Sequence, residues 1–302
     1  MLVVKIKGGL GNQMFEYAVA RKLQMTYQLD KIGLDLSIIG NDSIRDYGLD
    51  CFQLSDNVEI IENRNKIVRM QEMLAKKLVS YFVAGIHEAT AKKREDILAS
   101  VFALFGIIQR DHSCFKEKRF LKFHNNLYMN GWFQEANMLV PIREQLLKDF
   151  TWKTDRECNE DIYQQIIHSN AVCVHIRRGD YVNNPIFDVC KDSYYYNAMK
   201  YMTSIVQNPI FYVFSDSISQ VEDEMEFPYP VVYVREQHED YEDLYLMKHC
   251  RHFIMSNSTF SWWAQFLGEA EDKVVVAPAK WCLDADMDVG VYMKEWILLE
   301  EE

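Results

Sequence analysis

Ala171-Val-Cys-Val-His-Ile176 is a short apolar run that stops abruptly at Arg177-Arg-Gly-Asp180. A run of that length, bounded by a turn, reads as a strand buried on both faces. Working downstream, Ser193 to Val206 has helical spacing, and Ile210 to Phe214 and Val231 to Val234 read as strands. Tyr241 to Cys250 reads as a helix, His252 to Met255 as a strand, Thr259 to Gly268 as a helix and Lys273 to Ala277 as a strand. Strands alternating with helices in this way predict a parallel sheet covered on both faces. Such sheets bind ligands at the carboxyl ends of their strands.

Upstream, Leu2 to Ile6 is a second β-like run, followed by the turn Gly8-Gly9-Leu10-Gly11 and a helix with Phe15, Val19 and Leu23 at four-residue spacing. Residues 60–110 mix charged and apolar positions with helical periodicity, so helices are expected there. Tyr128 to Phe133 reads as a strand ending in Gly131-Trp132-Phe133, and Asn137 to Phe150 as a helix. The 302 residues suit two α/β halves of ~150 residues, or one large domain. The polar stretch Thr151 to Asn159 offers a boundary, giving domains at 1–152 and 153–302, with a tail able to pack back on the first.

Composition excludes several classes. Hydrophobic residues make up 49% and charged ones 26%, too apolar for intrinsic disorder. With 45 acidic against 33 basic residues the net charge is −12, which argues against nucleic acid or an anionic membrane as partner. The 7 cysteines are scattered with no C-x-x-C pair, so reduced thiols in a cytoplasmic protein are expected, not a disulfide framework or zinc ribbon. Met1 to Gln13 lacks signal-peptide character. The longest nearly apolar run, Leu98 to Ile108, is about half the ~20 residues a membrane span needs, so no transmembrane segment is expected.

Two adjacent guanidiniums, Arg177 and Arg178, at a strand end offer forked, permanently charged donors suited to phosphate, or else lie in surface salt bridges. Arginine is no general base, so its role at a reacting centre is to stabilise charge on a leaving phosphate. Ser256-Asn257-Ser258-Thr259-Phe260-Ser261 lies between a strand and a helix carrying Trp262 and Trp263. It supplies either a helix cap or an anion site of hydroxyls and backbone N–H groups. The Gly9-x-Gly11 loop has Met14 where a dinucleotide fingerprint needs glycine, and it lacks the Walker lysine. It therefore permits close backbone approach, or is only a tight turn. Asp216, at the end of Phe214-Ser-Asp, either accepts from a base or ribose or caps a helix. Asp284-Ala-Asp286-Met-Asp288 is expected to be an exposed acidic loop, and no metal site is expected.

His175-Ile-Arg-Arg-Gly-Asp-Tyr181, Gly8-Gly-Leu-Gly-Asn-Gln-Met-Phe15 and Ser256-Asn-Ser-Thr-Phe-Ser-Trp-Trp263 resemble motifs of the bacterial α-1,2-fucosyltransferases, glycosyltransferase family 11. Tyr128 to Gln134, Phe214 to Asp216 and Val275 to Trp281 extend the resemblance over most of the chain. The H-x-R-R-x-D element is also similar to one in α-1,6- and protein O-fucosyltransferases. The resemblance implies a GT-B fold, two Rossmann-like domains facing a cleft, with GDP-fucose held mainly by the C-terminal one. It implies an inverting transfer of L-fucose to the 2-hydroxyl of a galactose-terminated oligosaccharide, with no cofactor and no essential metal.

By the same resemblance Arg177 contacts the GDP β-phosphate, and Arg178 lies nearby or holds the loop. His175 touches the nucleotide or the reacting centre. Asn257, Ser258, Thr259 and Ser261 contact the diphosphate or base, with Asp216 on the nucleotide and Gly11 and Asn12 approaching from the other domain. Trp132 and Phe133 fall on the acceptor side, where they either stack on a sugar ring or pack in the core. Candidate bases are Asp180, then His175, then Glu16, and Asp180 equally suits orienting Arg178 or capping its turn. Ser217 stands where related enzymes often carry a second acid after Asp216. Two other readings fit the residues: a non-catalytic nucleotide-sugar or glycan-binding protein, and an inverting GT-B transferase using a different donor. Intact Arg177, Arg178 and Asp180 argue against the first.

Overall fold

The computed structural model describes residues 1–39, 46–61, 66–83, 98–99, 101–110, 124–153, 160–235, 239–284 and 290–300. The chain divides into two compact units, one of Met1–Lys153 with Ala285–Tyr292, the other of Thr154–Asp284 with Met293–Glu302.

In the first unit the opening strand β1 (Leu2–Lys5) leads into α1 (Leu10–Tyr27), then β2 (Ile32–Asp35), β3 (Val58–Ile61) and α2 (Lys66–Val83). Strands β4 (Ile107–Arg110) and β5 (Leu127–Gly131) complete a wholly parallel sheet of order β3-β2-β1-β5-β4. α1 is buried over most of its surface, including Phe15, Tyr17, Val19 and Leu23. It is anchored by Tyr17, whose hydroxyl donates to Asp149 Oδ2 at 2.7 Å, and by Arg21 Nε to the same oxygen at 2.9 Å.

Two expectations for this unit are corrected. Residues 60–110 are not helical throughout: β3 enters the stretch, β4 ends it, and β2 lies before it. Each of these strands has four residues, too few for a period of two to stand out from mixed neighbours. The Leu98–Ile108 run is likewise split, by a turn at Gly106 with φ of +70°. The helix expected over Asn137–Phe150 is three pieces: α3 (Ala136–Leu139), a 3₁₀ turn (Val140–Ile142) and α4 (Arg143–Asp149). Pro141 in that turn has no N–H to donate and its ring crowds the preceding turn, so a continuous helix cannot pass through it.

The second unit runs α5 (Glu160–Ile167), β6 (Asn170–Ile176), α6 (Asp192–Ile205), β7 (Pro209–Ser215), α7 (Ile218–Glu224) and β8 (Val231–Tyr233). It continues with α8 (Asp240–Lys248), β9 (His252–Ile254), α9 (Thr259–Leu267), β10 (Val275–Pro278) and β11 (Ile297–Leu299). All pairings are parallel and the order is β11-β10-β9-β6-β7-β8. β6 pairs with β7 from Asn170↔Pro209 to Ile176↔Ser215. Because side chains alternate across a strand, Val172, Val174 and Ile176 share one face. They join a core with Tyr194, Tyr195, Ala198, Met199 and Met202 of α6. Trp262 and Trp263 of α9 are wholly buried, with Trp262 stacked on Phe266 at 4.7 Å. β11 was not expected, since Lys273–Ala277 read as the last strand; Ala279 N–H donates to Leu299 O at 2.8 Å beside it. Among the described residues no helix is long and apolar enough to cross a membrane.

Gly131 ends β5 because nothing larger fits: a Cβ there would overlap the backbone carbonyl of Arg110 on the neighbouring strand. Backbone cannot swing aside as a side-chain tip can. Gly131→Ala is expected to destabilise the protein by about 2–4 kcal/mol, read as a lower urea midpoint with unchanged slope.

Candidate functional site

The unusual residues of the second unit gather at the carboxyl ends of β6, β7 and β9. His175, the penultimate residue of β6, is 4% exposed, and its Nδ1 is hydrogen-bonded to Ser256 Oγ at 2.9 Å. Burial, and secondarily the Arg177 charge, lower its pKa to about 3. The imidazole is therefore neutral near pH 7.

Arg177 leaves the strand between two carboxylates. Its Nη2 donates to Asp180 Oδ1 at 2.6 Å and its Nη1 lies 3.1 Å from Asp216 Oδ2. Burial alone would lower the Arg177 pKa, but Asp216 and Asp180 outweigh it and the net shift is upward. The Tyr181 ring faces the guanidinium, 5.4 Å from Cζ to centroid. Asp216 does more than pair with Arg177, since its Oδ1 also accepts from the Arg178 backbone N–H at 2.9 Å. Asp216 thus fixes the arginine turn. Gly179 makes this approach possible: its φ is +22°, and a Cβ there would overlap Asp216 Oδ2. Asp180 orients Arg177, not Arg178. Arg178 is held by Asp192, Nη2 to Oδ1 at 2.8 Å, a partner missed in the sequence although a carboxylate opening α6 was a visible signal.

The Ser256–Ser261 segment is largely turned inward. Ser258 caps α9, its Oγ accepting from Phe260 N–H at 3.2 Å. Ser261 Oγ donates to the carbonyls of Ser256 and Ser258 at 3.2 and 3.1 Å. Asn257 is 2% exposed, and its Nδ2 donates to Phe187 O at 3.0 Å and Trp281 O at 2.9 Å. Both its N–H donors are committed to backbone carbonyls. Thr259, half-buried, opens α9 beside the Ser258 cap.

In the first unit, Gly9 is the N-cap of α1, and Gly8, at φ +74°, leaves no room for a side chain against Asn12 and Trp132. Gly11 is buried in α1; Asn12 is half-buried, its Oδ1 accepting from Gln134 Nε2 at 3.2 Å. Gln13, which the sequence reading passed over, straps the loop: Nε2 donates to Gly8 O and Asp46 O at 2.9 and 2.8 Å, while Oε1 accepts from Gly48 N–H at 3.0 Å. Glu16 is buried with Oε2 accepting from Lys7 N–H at 2.9 Å, so the third base candidate is a structural carboxylate here. Trp132 is half-buried with Lys7 Nζ 4.1 Å over its ring. Phe133, at 3% exposed, belongs to the core and presents no face to a sugar.

Asp286 and Asp288 of the acidic loop lie outside the described residues. Among the described residues, no three or more His, Cys, Asp or Glu side chains are placed to hold a metal ion.

The His175 shift has a stability consequence. Its folded pKa, about 3, lies below the unfolded value of ~6.5, so the unfolded chain binds the extra proton between those limits. Stability is therefore full above pH ~6.5 and falls as pH drops toward 3. Between pH 6.5 and 5 this one group removes about 2 kcal/mol. Urea unfolding at both pH values should show the fall in the wild type and a smaller one in His175→Asn; equal falls would contradict the assignment.

Residues 1–300 match the model of glycosyl transferase family 11. The O-antigen biosynthesis glycosyltransferase WbnK of Escherichia coli is 29% identical, over 91% of this chain and 93% of that protein. An α-1,2-colitosyltransferase of Escherichia coli is 26% identical, over 93% and 92%. Among solved structures, the fucosyltransferase NodZ from Bradyrhizobium superposes with a TM-score of 0.52 at 12% identity, covering 88% of this chain and 91% of that one. Arabidopsis thaliana FUT1 in complex with GDP gives 0.50 at 13%, covering 93% and 71%. These likenesses place the two parallel-sheet units in the GT-B frame of fucosyltransferases, and the family match over nearly the full length makes this chain a member of glycosyl transferase family 11.

Proposed function

We propose that this glycosyltransferase is an inverting α-1,2-fucosyltransferase that moves L-fucose from GDP-fucose to the 2-hydroxyl of a galactose-terminated glycan. The observation that carries the reading is Arg177, a cation fixed at a strand's carboxyl end by Asp180 and Asp216, where a parallel sheet receives its ligand. The fucosyltransferase structures that share the fold support it.

The acceptor hydroxyl attacks the anomeric carbon as the C–O bond to the diphosphate breaks on the opposite face. Positive charge develops on the sugar and negative charge on the departing GDP. Arg177 meets that negative charge, assisted by the Ser258-capped N-terminus of α9 and Thr259. Asp180, its side chain 65% exposed, is the reachable carboxylate beside Arg177 and accepts the acceptor proton in this proposal. Trp132 is the proposed acceptor platform. With the diphosphate charge met by protein cations, the reaction requires no metal, and its proposed setting is the cytoplasm, where Cys51, Cys173, Cys190, Cys250 and Cys282 keep reduced thiols.

A second reading, transfer of colitose in place of fucose, is favoured by the name of the α-1,2-colitosyltransferase relative. Turnover with a panel of nucleotide sugars and a galactoside, followed by nucleotide release, separates the two. GDP release with GDP-fucose supports the first; inertness with it and turnover with a different donor overturns it, and binding without turnover would mark a carrier. Activity should survive EDTA. Arg177→Ala should lower kcat by about 10²–10³ while folding normally, since one preorganised charged donor is worth roughly 3–4 kcal/mol in the transition state. Near-wild-type turnover at saturating donor would remove Arg177 from this role.

A further inference from the structure

Between β6 and α6 the chain makes an excursion, residues 177–191, whose only regular element is the 3₁₀ turn Gly179–Tyr181. Arg177 opens that excursion, so its direction depends on what pins the rest. The pin lies on a different part of the sheet edge. Asn257, just after β9, donates from Nδ2 to Phe187 O at 3.0 Å and to Trp281 O at 2.9 Å, joining the excursion to the segment after β10. Cys190 Sγ donates to Asn257 Oδ1 at 3.6 Å, and the Asn257 carbonyl accepts from Tyr181 Oη at 3.5 Å. From the pinned Phe187 the contact passes back to the arginine. The Phe187 ring stacks on the Tyr181 ring at 5.4 Å and 24°, and the Tyr181 ring faces the Arg177 guanidinium.

We propose that Asn257 is a positioning residue for Arg177: its buried carboxamide, which touches no ligand, fixes the Phe187–Tyr181 stack on which the guanidinium rests. This rests on the reading of Arg177 as the diphosphate contact. The side chain type is dictated. Two backbone carbonyls converge on one nitrogen, so only a group with two N–H donors and a small acceptor fits. An aspartate would set a carboxylate against both carbonyls, and an alanine would remove the one group that joins them, leaving Phe187 O tied only to the Val189 N–H beside it. Loosening the stack lets the guanidinium depart from the direction the leaving diphosphate needs, and displacements of about 1 Å at a reacting centre cost on the order of 10²-fold in rate.

The test is a double-mutant cycle on the full chain, using Asn257→Ala, Arg177→Ala and the pair. Calorimetric GDP binding and steady-state kinetics with GDP-fucose and lactose are the readouts. The expected result is a roughly ten- to hundredfold loss in kcat over donor KM for Asn257→Ala, with acceptor KM unchanged. In the Arg177→Ala background the same change should add less than about threefold, because its route of action is already gone. Losses that multiply in full, or an unchanged Asn257→Ala enzyme, overturn the proposal. Should Asn257→Ala fail to fold, Phe187→Leu interrupts the same relay without touching the carboxamide, and must show the same non-additivity with Arg177→Ala. Failure of the donor reading appears elsewhere, as wild-type protein that neither binds GDP nor turns over GDP-fucose, and would overturn both.

Discussion

A guanidinium at the rim of a parallel sheet has many rotamers and a desolvation penalty, and a site built on it works only if both are answered. Here they are answered together. Asp216 and Asp180 flank Arg177, whose side chain is 18% exposed, and compensate its charge while they fix its direction. The arrangement trades attraction for aim. Arg177 and Arg178 face three carboxylates, Asp180, Asp192 and Asp216, so the turn is no general anion trap. What it offers is a donor already pointed, and orientation is worth more to a transfer reaction than raw charge. Much of the local sequence follows from this pairing. Gly179 has to lack a side chain because Asp216 occupies that space, and His175 is held neutral by its burial first and by the nearby Arg177 charge second.

The inner strands of the second sheet were legible because they are buried on both faces and show up as unbroken apolar runs ending in polar residues, whereas the half-buried edge strand β11 was not. The β6 and β7 runs have seven residues apiece, long enough to stand clear of their surroundings. β2, β3 and β4 have four, and their flanks carry the same residue types, so no period emerged. Pro141 was readable and was outweighed by the apolar spacing around it, although the local chemistry of proline wins. At the site the arginines declared themselves by position, whereas their partners did not. Asp216 lies 38 residues beyond Arg178 and Asp192 lies 14, and the fold alone brings them within hydrogen-bond range. The Ser256–Ser261 cluster was ambiguous in principle. Capping a helix, bracing a loop and binding an anion recruit the same hydroxyls and amides, and only the direction of each group separates them.

Relatives sharing this frame are named for different sugars, a colitosyltransferase on one side and fucosyltransferases on the other. A clamp that reads a diphosphate is indifferent to the sugar attached to it. Under the proposed reading of Arg177 as the diphosphate contact, discrimination between sugars belongs to other residues.

The division of the chain also bears on how the protein is made. Residues 285–292 belong to the first unit and those from Met293 return to the second, where β11 lies parallel against β10. During synthesis the second sheet therefore stands without its outer strand until residues 297–299 have left the ribosome. The open flank of β10 is a row of unpaired backbone groups for that interval, available to any extended chain nearby. Neither unit corresponds to one continuous piece of polypeptide, so a simple cut near residue 153 would yield one fragment missing part of its own body and another carrying a segment of its neighbour's.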